Sequence, residues 1–301
     1  MPGPLLIFIA AILWGLDGIL RRSLFTLPPA TIVFYEHLIG ALIIAPFLYF
    51  AWKKESLTRK EWGTIFLVAL LSGVLGTLFF TTALLKINFI PFSVVFLIQK
   101  LQPVFTISTA AIVLGERPSV KYWMWALLAL VAGYFVTFPG GIVNFGEGGA
   151  YVTAALYAFL AAIAWGSSTA FSRYTLLNHS NTLITGLRFW ITVPLAFLFV
   201  FGLGAAPSLT TISLSQLGLL LLIACSTGMI ALWIYYRGLK TTKASVSTIV
   251  ELAFPATAVA VDYFLYHTTL HSSQYIAAIV LLFAMYKIAK LSWQEASPTN
   301  Q

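Results

Sequence analysis

Long apolar runs separated by short polar gaps dominate this chain. Ten blocks stand out: Pro4–Leu20, Ala30–Ala51, Gly63–Leu85, Pro91–Leu114 and Tyr122–Phe138, then Tyr151–Leu177, Leu183–Gly202, Gln216–Leu239, Ala244–Tyr266 and Ser272–Leu291. Crossing a hydrocarbon core takes about 20 consecutive apolar residues in an α-helix. Backbone groups in lipid need partners within their own segment, and a helix supplies them. The pattern predicts an all-α integral membrane protein of ten transmembrane helices. Most gaps are short, so consecutive helices run antiparallel.

Composition points the same way. Hydrophobic residues make up 60% of the chain, charged residues only 9%, and the mean hydropathy is +0.93. A soluble domain carries about 25% charged residues, so this chain needs lipid. The net charge of +8 raises the question of nucleic acid. The basic residues, however, sit in the gaps between blocks rather than in one stripe, and no nucleic-acid partner is expected. A lone cysteine, Cys225, excludes an intrachain disulfide and reads as a small core residue. The first block is too long for a signal-peptide core, and it is read as a retained first helix.

Charge placement predicts orientation. One side collects Lys53, Lys54, Arg59, Lys60, Arg117, Lys121, Arg173, Arg237, Lys240, Lys243, Lys287 and Lys290, and the other only Arg21, Arg22 and Lys86. That bias places both termini in the cytoplasm of a bacterial inner membrane. Residues 1–139 form a first five-helix unit and residues 151–291 a second. A glycine-rich extracytoplasmic linker, 140–150, joins them, and 292–301 is a polar cytoplasmic tail.

The two units repeat. Trp14-Gly15 precedes Arg22 by eight residues, and Trp165-Gly166 precedes Arg173 by eight, with the tryptophans 151 apart. Lys86 and Lys240 end the third and eighth blocks, 154 apart, and Pro103 and Pro255 interrupt the fourth and ninth, 152 apart. Four ordered matches at nearly constant offset indicate a duplicated unit. An odd number of helices per unit makes the second cross in the opposite sense. Such inverted repeats around a central cavity serve alternating access, unless the duplication is a relic in a protein that transports nothing.

Ionisable groups in hydrocarbon are costly, so each one carries a functional hypothesis. At the repeat offset Gln99 matches Glu251, on helices expected to face each other near the midplane. Lys100 and Glu251 would there receive a substrate's carboxylate and ammonium, or else form an ion pair that only packs helices. Gln99 and Gln102 flank Lys100. Asp17 shares a helix face with Trp14. Asp17, Glu36 and Asp262 are possible proton relays, although Glu36 and Asp262 fall near block ends, where a solvated role is expected. Arg188 is expected to pair with an acid or a carbonyl. His267 and His271 have the spacing of a metal pair but no third ligand, so no metal site is expected.

Trp52, Trp62, Trp123 and Trp293 lie at block ends, as interfacial belts require. Trp14, Trp165 and Trp233 lie deeper, with Phe79, Phe80, Tyr235 and Tyr236, and either stack on a ligand or face lipid. Pro103 and Pro255 are hinge candidates, or simple packing kinks, because proline removes an intrahelical hydrogen bond.

Further motifs carry a resemblance. Ala83-Leu84-Leu85-Lys86, Leu101-Gln102-Pro103, Leu114-Gly115-Glu116-Arg117-Pro118 and Ala132-Gly133-Tyr134 resemble the drug/metabolite transporter superfamily, EamA type. Trp14-Gly15 and Trp165-Gly166 resemble that family's tryptophan-glycine pair. The second half departs from the pattern: Tyr266-His267 stands where a Gly-Glu pair should, which makes Glu116 a helix-end residue rather than one of a symmetric pair. The chain is similar to bacterial aromatic amino acid exporters. The resemblance implies metabolite efflux, with helices one, three, four, six, eight and nine around a cavity and five and ten outside it.

The leading expectation is export of small metabolites, most of all amino acids including aromatic ones. Export of cationic drugs through Asp17 or Glu251 is an alternative. A sugar-phosphate or nucleotide-sugar carrier would need more cavity cations than Lys100. An intramembrane enzyme would need a catalytic cluster, and none appears in the blocks; a receptor would leave the repeat unexplained. The expected partners are the bilayer and a small-molecule substrate. No cofactor is expected, and a monomer suffices.

Overall fold

The computed structural model describes residues 2–86, 91–114, 118–143, 149–176, 178–241, 250–251 and 253–295. Glu116, Arg117, Lys243, residues 144–148 of the linker and residues 296–301 of the tail lie outside the described residues, as do the side chains of Arg173, Lys240 and Trp293.

Regular structure among the described residues is helical. The long helices are α1 (Gly3–Arg22), α2 (Pro29–Trp52) and α3 (Arg59–Leu85). The fourth block is divided into α4 (Phe92–Gln99) and α5 (Gln102–Leu114), followed by α6 (Val120–Thr137). The second half holds α7 (Ala150–Leu176), α8 (Asn181–Gly202), α9 (Leu214–Cys225), α10 (Met229–Thr241), α11 (Ala253–Phe264) and α12 (Ser272–Glu295). Among the described residues, seven stretches are long and apolar enough to cross a membrane, one of them joining α9 and α10. The α4, α5 and α11 segments are shorter than a full span.

Local chemistry explains the ends. Prolines occupy the first turns of α1 and α2, where no backbone donor is needed. Thr58 and Glu61 form a reciprocal capping box on α3, and Ser213 and Gln216 form another on α9. The fourth block breaks at Lys100–Leu101, whose amides bond back only three residues, to Leu97 and Ile98. Pro103 then lies in the first turn of α5, and Pro255 in the first turn of α11. Neither is in mid-helix; each follows the point where a helix starts.

Two backbone irregularities also match. The middle of α3, Ala69–Gly76, is a π-helix, and a turn at Ser226–Gly228 separates α9 from α10. Gly76 and Gly228 are 152 residues apart, the repeat offset. Each meets a bulky group: a Cβ on Gly76 would strike the Trp165 indole, and one on Gly228 would lie 2.9 Å from Glu36 Oε1.

Packing repeats as well. In α1, a Cβ on Gly15 would lie 2.6 Å from the Thr257 side chain and 3.0 Å from the Phe254 carbonyl oxygen of α11. In α7, a Cβ on Gly166 would lie 2.5 Å from the Gln102 carbonyl oxygen and 2.9 Å from Phe105 Cβ of α5. Phe254 and Gln102 are 152 apart, as are Thr257 and Phe105. The α2 and α8 helices pack on each other, as do α6 and α12 at the periphery.

Apolar side chains cover the outside. Phe47, Phe50, Leu198 and Ile279 are each more than 60% exposed, which a water-soluble protein would not tolerate in such numbers. The Trp52 and Trp62 rings meet in a tilted contact at 5.5 Å beside the α2–α3 loop. Cys225 is exposed at the end of α9 rather than buried in the core, because the helix breaks there and turns it outward.

Candidate functional site

A seam of aromatic and polar groups joins the two repeat tryptophans. Trp14 packs on Tyr235 with ring centroids 4.9 Å apart. The Tyr235 hydroxyl donates to Glu251 Oε1 at 2.8 Å. Lys100 Nζ donates to the Glu251 carbonyl oxygen at 3.0 Å and sits 4.9 Å over the Phe254 ring. Phe254 meets Phe96 at 4.7 Å, Phe96 meets Phe80 at 5.4 Å, and Phe80 meets Trp165 at 5.1 Å. Trp165 Nε1 then donates to the Ser72 carbonyl at 3.0 Å, within the π-helix of α3. The split of α4 from α5 at Lys100 is what lets its side chain turn toward Glu251.

Lys100 and Glu251 are therefore neighbours, but not as an ion pair between side chains. The lysine holds main chain and the carboxylate holds a tyrosine. Gln99 is buried and donates to the Ala158 carbonyl at 2.6 Å, while Gln102 donates to Gln99 Oε1 at 3.2 Å. Gln99 thus ties the seam to α7, and Gln102 braces Gln99 from the start of α5. Phe79 meets the Tyr157 ring of α7, with centroids 6.0 Å apart. Trp233 Nε1 donates to Thr182 at 3.4 Å, with Arg237 over its ring. The Tyr236 hydroxyl accepts from Arg188 at 3.5 Å.

Asp17 belongs to a second, buried ionic cluster. Arg21 Nε binds one of its oxygens and the Thr227 hydroxyl the other. Arg21 also reaches Glu36 at 2.9 Å and Thr81 at 3.0 Å. Asp17, Arg21 and Glu36 are each at least 95% buried. The expected solvated role for Glu36 is thus overturned, since Arg21 of α1 folds inward to meet it. Asp262 is likewise 3% exposed and accepts from the Ser93 amide at 2.6 Å. Arg188 has no acidic partner within ion-pair distance among the described residues, and its Nε is unpartnered. The His271 ring pairs with Ser273, and no group of three possible metal ligands occurs among the described residues.

A third cluster joins two loops. His179 faces Glu55 at 3.1 Å and Glu61 at 3.0 Å, and the Ser180 amide donates to Glu55 at 2.9 Å. The α2–α3 loop of the first half is thereby fastened to the α7–α8 loop of the second. Burial opposes ionisation of Glu55. Hydrogen bonds from Ser180 and His179 outweigh it and hold the carboxyl below its ordinary value.

Phe96, Phe254, Arg21 and Thr227 carry contacts that hydropathy did not single out. Only Arg21 had a legible signal: it lies four residues after Asp17, the spacing of a helical ion pair.

Matched helical units that share a polar and aromatic seam inside an apolar exterior define a multi-pass membrane protein. The EamA-like transporter family matches residues 1–138 and again residues 152–289, and the chain belongs to that family, within the drug/metabolite transporter superfamily. It is a transporter of small molecules and not an enzyme. Riboflavin transporter ImpX of Fusobacterium nucleatum subsp. nucleatum is 36% identical over 295 residues, spanning 96% of this chain and 98% of that protein. Pseudopaline exporter CntI of Pseudomonas aeruginosa is 28% identical over 171 residues, 56% of each chain. A solved crystal structure covers 97% of this chain with a TM-score of 0.62 at 19% identity, a likeness of fold alone.

Proposed function

We propose that this protein carries a planar aromatic metabolite of the flavin class across the bacterial inner membrane by alternating access, with the Trp14-to-Trp165 seam as the substrate path. The observation that carries the proposal is that seam: aromatic faces at both ends, with Lys100, Glu251, Gln99 and Gln102 between them. A flavin ring offers a stackable face and a polar edge, which suit such a lining. The full-length likeness to a riboflavin transporter supports the same substrate class.

In this reading the halves are inverted repeats of five helices each, the termini are cytoplasmic, and the starts of α5 and α11 beside Pro103 and Pro255 act as hinges. Equivalent positions in contact lie on the pseudo-two-fold axis, and His37 and Phe189, 152 apart, have rings 4.9 Å apart.

Export of amino acids, aromatic ones included, is the second reading. It is favoured by the adjacency of Lys100 and Glu251, which supplies a cation and a carboxylate for a zwitterion. Counterflow of radiolabelled riboflavin into proteoliposomes, challenged with unlabelled riboflavin or tryptophan, separates the two. Riboflavin-specific exchange supports the first reading. Exchange of tryptophan alone supports the second, and exchange of neither contradicts both.

A further inference from the structure

We propose that Thr185 and Arg188 of α8 form a subsite that holds a neutral carbonyl edge of the substrate by donating two hydrogen bonds to it. The proposal deepens the transport reading above and rests on it for the flavin ring. Arg188 is 8% exposed, and its Nε has no hydrogen-bond partner among the described residues. Thr185 is fully buried, and its hydroxyl has none either. The two lie three residues apart, on one face of the helix. The large majority of buried polar side-chain atoms have a partner, because an unsatisfied one costs its full desolvation. Two neighbouring orphans that can both donate point to an acceptor supplied from outside the chain.

The rest of this face is served from within the chain. One turn on, the Thr192 hydroxyl donates to the Arg188 carbonyl at 2.7 Å. One turn back, the Thr182 hydroxyl accepts from Trp233 Nε1 at 3.4 Å. Arg188 Nη1 donates to the Tyr236 hydroxyl of α10 at 3.5 Å, the long limit for such a bond. The Tyr236 ring lies 6.0 Å from that of Tyr235, which packs on Trp14 at one end of the seam. A ring lying beside Tyr235 therefore has one residue, Tyr236, between its edge and the guanidinium.

Charge decides which acceptor fits. Arg188 stands 152 residues after Glu36, at the repeat offset. Glu36 is held by Arg21, which also holds Asp17. His37, whose ring meets that of Phe189, lies within electrostatic reach of both Arg21 and Arg188. As ionised groups the two acids and the two guanidiniums balance. A carboxylate or phosphate brought to Arg188 would add a negative charge without a counterion of its own, which is costly away from water. A carbonyl edge accepts from Nε–H and from the hydroxyl and leaves the balance intact. A flavin ring carries such an edge, whereas the free acceptor of an aromatic amino acid is a charged carboxylate.

Thr185→Val separates a binding role from a structural one, because it removes an unpaired hydroxyl and keeps the shape. In ligand-free nanodiscs the variant should melt no lower than the wild type; a lower melting temperature would mean that the hydroxyl already has a structural partner, and would overturn the proposal. It should weaken riboflavin binding by about 2- to 12-fold, and Arg188→Gln by roughly 12- to 150-fold. Thr185→Val carries the test where Arg188→Gln does not fold. Unchanged riboflavin affinity in the folded variants overturns the subsite. Lumiflavin, the ring without the ribityl chain, should lose affinity by the same factors. Losses that lumiflavin does not share overturn the carbonyl edge as the ligand group, as does tighter binding of riboflavin phosphate than of riboflavin through Arg188.

NMR with isotope-labelled arginine keeps the subsite testable apart from the flavin reading. The Nε–H signal that Arg188→Lys removes should shift on addition of millimolar uracil, which carries a carbonyl edge without a flavin ring. If the wild type binds no riboflavin, the flavin reading fails and this signal decides: a shift upholds the subsite and none overturns it.

Discussion

Lys100 Nζ donates to the Glu251 carbonyl oxygen at 3.0 Å, so a residue of the first repeat grips the main chain of the second. Gln99, its neighbour, is the position that matches Glu251. The contact therefore joins the two repeats almost at symmetry-related points. Replacing Lys100 with Met leaves that carbonyl without its donor. A hydrogen bond to a charged group contributes about 1.5–3 kcal/mol, and the variant should lose that much stability in detergent. Lys100→Arg, which keeps a cation, should recover part of it.

Matched glycines make the repeat testable by packing. Gly15→Val and Gly166→Val each push a side chain against a facing carbonyl oxygen. Overpacking of this kind costs about 1–3 kcal/mol. Thermal unfolding should show similar losses for the two variants. A large loss at one position only would mean that the two helix pairs are not packed alike.

How much of this was legible in the sequence depends on what kind of signal each feature left. Hydropathy located the helices because lipid imposes length and apolarity on any span. The repeat was readable because Trp-Gly, Lys and Pro stand at fixed offsets, and the Gly15 and Gly166 contacts give those offsets a physical reason. Trp14, Lys100, Trp165 and Glu251, expected from the sequence to line a substrate path, lie along one seam of contacts. Phe79 meets Tyr157 instead, since nothing in a uniformly apolar block says which of two adjacent phenylalanines joins that seam. Glu36 and Asp262 were misjudged because closeness to a block end was read as closeness to water, and Arg188 meets the Tyr236 hydroxyl rather than the acid or carbonyl expected of it. Their environments depend on other helices, which sequence spacing does not reveal.

The Trp165 indole anchors the seam to α3. Its Nε1 donates to the Ser72 carbonyl, which also accepts from Thr77. Trp165→Phe keeps a ring and removes the donor, so a loss of about 0.5–1.5 kcal/mol is expected. Hydrogen exchange within Ala69–Gly76 should speed up in that variant while exchange in α12 stays unchanged.

The Glu55–His179 contact predicts an acid-sensitive fastening between the halves. Glu55 has a folded-state pKa below its ordinary 4.5. Its stabilising effect is therefore fully present above that ordinary value and is lost as pH falls through the lower, folded one. Melting temperature measured against pH should decline on this acid limb, and Glu55→Gln should flatten part of the decline. An unchanged pH profile in the variant would detach Glu55 from the fastening.

Equilibrium binding of radiolabelled riboflavin to the purified protein in nanodiscs tests the seam as substrate path most directly. Stacking of a ring on an aromatic side chain contributes about 1–3 kcal/mol, so Trp14→Ala and Trp165→Ala should each weaken binding by roughly 5- to 150-fold. Trp233→Ala, which lies off the seam, should bind almost as the wild type does. Unchanged affinity in both seam variants, with folding intact, would contradict the assignment.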